Sequence, residues 1–250
     1  EEVIAGRQVD AAKKRLTSAL RREAEAQAEA ARAAVRNAHE DLKELADKNS
    51  KLTKLNQDTV EQLATANADR DRTQKQIDSL VTDFETLTQR AEAAQFTHAI
   101  GVLLRRHRAT LPLVGGIEDQ LMARQSVVSD LNLKLIDLEH ERRALVDLDG
   151  AVTIAVARLE SATDERVRDE VRSLLSAQRE VLGSLTQNLT NLLSTLVALD
   201  SAERQLIDEV DRQTDYIAEH VLWVRSTTAV SMADIATCLL YTSPSPRDRH

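Results

Sequence analysis

The sequence predicts an all-α chain built as a long antiparallel coiled-coil hairpin, with a spectrin-like three-helix bundle as the alternative. Three observations carry this. The residues are mostly Ala, Leu, Glu, Arg, Gln and Asp, with 30% charged and only 2% aromatic, which suits long helices better than a core filled by large rings. Six Gly and three Pro in 250 residues are too few turn formers for a sheet, and no alternating run of strand formers occurs. Apolar residues also recur at alternating steps of three and four, the period of helices that pack along a narrow stripe.

Residues 1–111 are predicted as one long helix. Its early part, LRREAEAQAEAARAAVRNAHEDL, is helical by intrinsic propensity but offers only a small, weak seam. From Leu42 to Ala94 the three-four step never slips, and 11 of 16 seam positions are Leu, Ile, Phe or Ala. Asn49, Asn56, Arg70 and Thr73 interrupt that seam and are read as residues that set its register or loosen it. Past Ala94 the apolar phase moves to Phe96, Ile100, Leu103, Leu104 and Leu111.

Residues 112–116 are the predicted hairpin turn, because Pro112 cannot continue a helix and Gly115-Gly116 permits a reversal. Helix two, 117–160, opens with Glu118 and Asp119, charges that suit a helix N-terminus. Its seam runs from Leu121 to Leu159, with Gly150 as a weak point. Thr163 or Asp164 is the candidate N-cap of helix three, 161–226, whose Leu-rich seam runs from Val171 to Ile217. Asp149 and Val171 are 22 residues apart, one more than three heptads, so a skip, kink or reversal falls between 159 and 171. Collinear helices two and three give the hairpin, and a reversal near 162 gives the bundle. The hairpin is preferred because that break lacks the Gly and Pro of 112–116. Residues 227–237 begin a linker. The tail CLLYTSPSPRDRH, 238–250, breaks the pattern and is read as an artefactual addition outside the fold.

The formal net charge of -8 argues against a nucleic-acid partner, which calls for a dense positive field. The single Cys238 supplies neither a disulfide framework nor a Cys-based metal site. No run of about 18 apolar residues is present to span a bilayer, and a start at Glu1 without Met suggests a segment of a longer protein. The six His form no HExxH and no i, i+4 pair, and no Gly-rich phosphate loop occurs. No catalytic residue, metal or cofactor is therefore expected. Asn188-Leu189-Thr190 is formally a glycosylation sequon but lies mid-helix. The basic stretch Arg105–Arg108, placed at the predicted tip, is either a solvated tip or a surface for an anionic partner such as lipid headgroups or cell-wall polymer.

Two stretches together resemble a known family. HAIGVLLRRHRATLP, from His98 to Pro112, resembles the pattern Ala-Leu-Gly-x-Leu-Leu-Arg-x-x-Arg-x-x-Leu-Pro, through Gly101, Leu103, Leu104, Arg105, Arg108, Leu111 and Pro112. YIAEHVLWVRS resembles Tyr-x-x-x-Leu-x-Glu-x-Leu-Leu-Trp-[Ile/Val]-Arg-Ser, through Tyr216, Glu219, Leu222, Trp223, Arg225 and Ser226. Both patterns are similar to the extracytoplasmic N-terminal, porin-like region of large MscS-type mechanosensitive channels, including the potassium-dependent channel of Gram-negative bacteria. The resemblance extends to about Ala233. Ile100 and Val221 depart from the usual Leu, and TTAV lacks the Pro often found after the Trp motif.

The resemblance implies a periplasmic, non-enzymatic arm of an inner-membrane protein. A signal peptide would precede it, and membrane helices and a channel domain would follow. Its implied partners are neighbouring channel subunits, with cell wall or envelope proteins as further candidates. Its implied role is that of a spacer, assembly surface or regulatory arm in the response to osmotic downshock. Trp223 and Arg225 would then mark the handover towards the bilayer, where Trp is favoured. The alternative is a cytoplasmic coiled-coil scaffold of the chromosome-organising kind, which predicts P-loop head domains outside the segment. A lipid-surface helix is a weaker rival, since it needs a broader apolar face than these seams provide.

Overall fold

The computed structural model describes residues 2–37, 42–93, 98–159 and 165–226. They form α1 (Glu2–Asn37), α2 (Lys43–Ala93), α3 (His98–Thr110), α4 (Gly115–Ala144), α5 (Leu148–Val156) and α6 (Glu165–Ser226). The all-α class read from composition and period is what forms, and no strand occurs among the described residues. The residues divide into two compact units. Unit 1 takes Glu1–Lys75 and Gly115–Arg204, and unit 2 takes Gln76–Val114 and the chain from Gln205 onward.

Unit 1 is a bundle of four strands of helix. Lys13 of α1 pairs with Asp71 of α2 at 3.3 Å, and Gln27 accepts from Asn56 at 3.1 Å, so α1 and α2 run antiparallel. Asn49 Nδ2 of α2 donates to the Leu174 carbonyl of α6 at 2.7 Å. Seven residues on, Asn188 Nδ2 of α6 donates to Asn56 Oδ1 at 2.8 Å, so α2 and α6 run parallel. α4 runs against both: Lys48 pairs with Glu141 at 2.9 Å, while Arg124 holds Asp200 and Glu203. The core joins Leu42, just before α2, Ala46 and Leu63 of α2, Leu131 and Leu138 of α4, Val152 of α5, and Leu182, Leu185 and Leu189 of α6.

These contacts correct the single hairpin. The chain already reverses between α1 and α2, so no continuous helix spans 1–111. It reverses again between α5 and α6, the alternative read at about residue 162. The physical reason lies on α2. The predicted seam is buried or half-buried throughout 42–91, but Ala46, Thr53 and Val60, one position beside it, are buried as well. Two adjacent buried stripes make a face too wide for one partner helix, so α2 takes several neighbours.

Other boundaries shift too. The break inside helix two falls at 145–147 rather than at Gly150. Asp147 caps α5 there, its carboxylate accepting from the Gly150 amide at 3.0 Å, which satisfies one of the free amides at the helix start. Gly115 and Gly116, read as part of the 112–116 turn, form the first turn of α4. The proposed caps Thr163 and Asp164, and residues 227–250, lie outside the described residues. Asn188 of the sequon is buried and bonded to Asn56, which leaves no room for a glycan in the folded chain.

Candidate functional site: where the two motifs meet

Unit 2 joins the end of α2, the whole of α3 and the end of α6. Its core is Phe84 and Ala91 from α2, Ile100 and Leu104 from α3, and Ile217 from α6, with Leu87, Tyr216 and Val221 packed against it. The two stretches singled out in the sequence, His98–Pro112 and the Tyr216 segment, therefore meet in one small core. They do so although more than a hundred residues separate them.

Phe84, 3% exposed, lies at its centre. The His107 ring stacks over it with centroids 5.9 Å apart, and the Tyr216 ring meets it edge-on at 5.2 Å. The Arg212 guanidinium sits 5.3 Å from its centroid, a cation–π arrangement. Tyr216 in turn stacks on His220 at 3.9 Å. A chain with 2% aromatic residues thus gathers two of its few rings, with two imidazoles, at one point.

Polar groups close this cluster. Gln213 is fully buried. Its amide nitrogen donates to the Leu80 carbonyl at 3.1 Å and to Glu209 Oε1 at 2.6 Å. Both are acceptors, which fixes the amide orientation and leaves Gln213 Oε1 facing His107 Nε2 at 2.8 Å. His107 must therefore carry a proton on Nε2 and donate it. Glu209 also receives Arg212 through two bonds at 2.9 and 2.6 Å. Burial acts to raise the Glu209 pKa, but hydrogen bonds from Arg212 and Gln213 outweigh it and hold the carboxyl below its ordinary range. The Tyr216 phenol is pushed up, first by burial and then by the charges of Glu92 and Glu219. Physically, the arrangement locks α3 to α2 and α6 through one ring stack and one buried amide. Among the described residues, no three His, Cys, Asp or Glu side chains converge on a metal position.

The motif residues divide by role. Gly101 and Leu104 are buried, and Leu111 and Pro112 are half-buried in the segment after α3. Leu103, Arg105 and Arg108 are exposed. The basic stretch is the second half of α3, not a hairpin tip. Tyr216 is half-buried and Glu219 exposed. Leu222, Trp223, Arg225 and Ser226 fall on the last turns of α6, with side chains outside the described ones. Sequence reasoning missed Phe84, Arg212 and Gln213 as parts of this site. Phe84 was legible only as a seam residue. Gln213 sits at the three-four step between Val210 and Ile217, where a polar residue signals a buried partner.

Comparison with known proteins gives one informative relation. The chain is 22% identical over 186 residues to a protein of Haemophilus influenzae described as an uncharacterized MscS family protein. The match covers 74% of this chain but 16% of that protein. No protein-family model matches the chain, and no solved structure does. The chain is thus distantly related to an MscS family protein, of whose length it spans about one sixth.

Proposed function

We propose that this chain is a periplasmic helical arm of an MscS-type mechanosensitive channel, held outside the inner membrane by segments not contained in this sequence. It does no chemistry of its own and serves as spacer, assembly surface or regulatory arm when the channel opens under tension during osmotic downshock. Its partners are neighbouring subunits of the channel, with cell wall or envelope proteins as further contacts.

The observation that carries this reading is the distant relation over 186 residues. The packing of unit 2 supports it, because the two stretches that resemble the channel's outer region form one core. No described helix is long and apolar enough to cross a membrane, which fits an arm and leaves conduction to other parts of the protein. The test is to delete these residues from the full-length channel and record membrane patches under graded suction. The reading expects a changed tension threshold, ion dependence or subunit assembly. A channel unchanged in all three would refute the regulatory and assembly roles.

A further inference from the structure

Unit 2 carries charges of opposite sign on two of its helices. α3 holds Arg105, Arg106 and Arg108 and no acidic residue. Arg90 of α2 lines the same groove as Arg106. All four arginines are exposed, and none makes a hydrogen bond or ion pair among the described residues. Arg72, Arg143, Arg172 and Arg212, by contrast, each hold a carboxylate. Among the described residues, Asp83 is the one carboxylate lining that groove, so the groove stays net positive.

α6 presents the opposite charge. Asp208, Asp211, Asp215 and Glu219 are exposed and likewise form no hydrogen bond or ion pair among the described residues. At 100° per residue they lie within about 80° of one another, on the side opposite Gln213 and Ile217, which are buried in unit 2. This ridge runs about 16 Å along the helix. Arg204 stands one turn before it, and Arg212 beside it is already held by Glu209. Like charges four residues apart, as at Asp211, Asp215 and Glu219, oppose helix formation, so the ridge gains from a cationic partner. The arginines of α3 in the same copy are not that partner, because α6 meets α3 through Gln213, on the far side of the helix from the ridge.

We infer that the basic surface of α3, with Arg90, docks on the acidic ridge of α6 in a second copy of this chain. The overall charge of -8 repels a second copy in general. Among the described helices α3 is the one without an acidic residue, so it is the surface that an acidic ridge can approach. The two surfaces differ, so the contact is head to tail. Each copy keeps one basic surface and one ridge for further copies, and closure gives a ring. Charges that meet in solvent set partner choice and orientation more than affinity, so association is weak and falls with salt. The inference gives the neighbouring copies of the channel reading a contact, but it rests on these charges alone and can fail while that reading stands.

The test is sedimentation equilibrium of the full chain at about 100 µM, in about 20 mM and about 500 mM salt. The mass should exceed that of one copy, 27.8 kDa, at low salt and fall back towards it at high salt. One variant carries Arg105→Glu, Arg106→Glu and Arg108→Glu. A second carries Asp208→Lys, Asp211→Lys, Asp215→Lys and Glu219→Lys. All these positions are exposed, so circular dichroism should match the parent. Each variant alone should associate at least about ten-fold more weakly. An equal mixture of the two should associate again, since the ridge of the first meets the arginines of the second. A chain that stays at one copy at low salt overturns the inference. So do association unchanged by salt, variants that associate like the parent, and a mixture no tighter than its parts.

Discussion

Replacing Phe84 separates two contributions to unit 2, the volume of the side chain and its ring. The residue is 3% exposed, so Phe84→Ala removes most of a buried side chain and should destabilise unit 2 by about 3–5 kcal/mol. Phe84→Leu keeps most of the apolar volume and loses only what the ring does. The edge-on pair with Tyr216 is worth about 0.5–1.5 kcal/mol beyond area. The Arg212 contact is worth about 0.5–1 kcal/mol, at the lower end because that guanidinium is largely solvated and also serves Glu209. The leucine variant should therefore lose about 1–2.5 kcal/mol. Hydrogen exchange read by mass spectrometry over 98–110 and 205–221 measures this directly. Protection there should fall in both variants, more in the alanine one, while 131–145 keeps its protection. A leucine variant within about 0.5 kcal/mol of the parent would refute the claim that the ring cluster stabilises this core.

Other consequences follow from the same contacts. Arg124→Met leaves Asp200 and Glu203 facing each other without their cation and should lower stability by about 2–4 kcal/mol. Adding Asp200→Asn and Glu203→Gln should recover most of the loss in urea unfolding. Asn56→Ala strands Asn188 and Gln27 and should lower stability by about 1–3 kcal/mol by the same assay. Gly150→Ala would place a methyl group against the Asp147 carboxylate that caps α5. It should match Asp147→Ala at about 1 kcal/mol, and the double variant should lose no more than either alone. The folded pKa of Glu209 is depressed, so its stabilisation is present above the unfolded value and is lost as pH falls through the folded one. Unfolding followed from about pH 6 to about pH 3 should show a loss in unit 2 that Glu209→Gln does not share.

The class of the fold was legible because helix leaves a one-dimensional trace: period, palette and the scarcity of Gly and Pro. On α6 the apolar seam residues from Val171 through Leu182, Leu189, Leu196 and Leu206 to Ile217 are buried or half-buried. The direction of each helix was not legible. A heptad stripe states that a helix has a partner but not which one, and α1 carries no Pro, and no Gly after Gly6, to signal its reversal into α2. What could have signalled the bundle is the second stripe, Ala46, Thr53 and Val60, spaced seven apart beside the first. The polar seam residues are legible in the sequence as residues that set the register or loosen the seam, but their partners are not. Asn56 proves to be the centre of a hydrogen-bonded group with Gln27, Ser184 and Asn188, where mispairing would leave buried amides unsatisfied. The sequence places the basic stretch Arg105–Arg108 at a tip because Pro112 marks the end of the predicted single helix. α3 is instead a short separate helix whose inner side, Ile100, Leu104 and His107, belongs to unit 2.

That the two motif stretches form one packed unit is the claim on which the site description rests, and a double-mutant cycle between Leu104 and Ile217 tests it most directly. Leu104→Ala and Ile217→Val, singly and together, are compared by urea unfolding and by exchange protection in unit 2. Both residues are almost wholly buried in the same core, so the losses should fail to add, by about 0.5 kcal/mol or more. Losses that add within about 0.3 kcal/mol would show that the two stretches do not share a core, and would contradict the account.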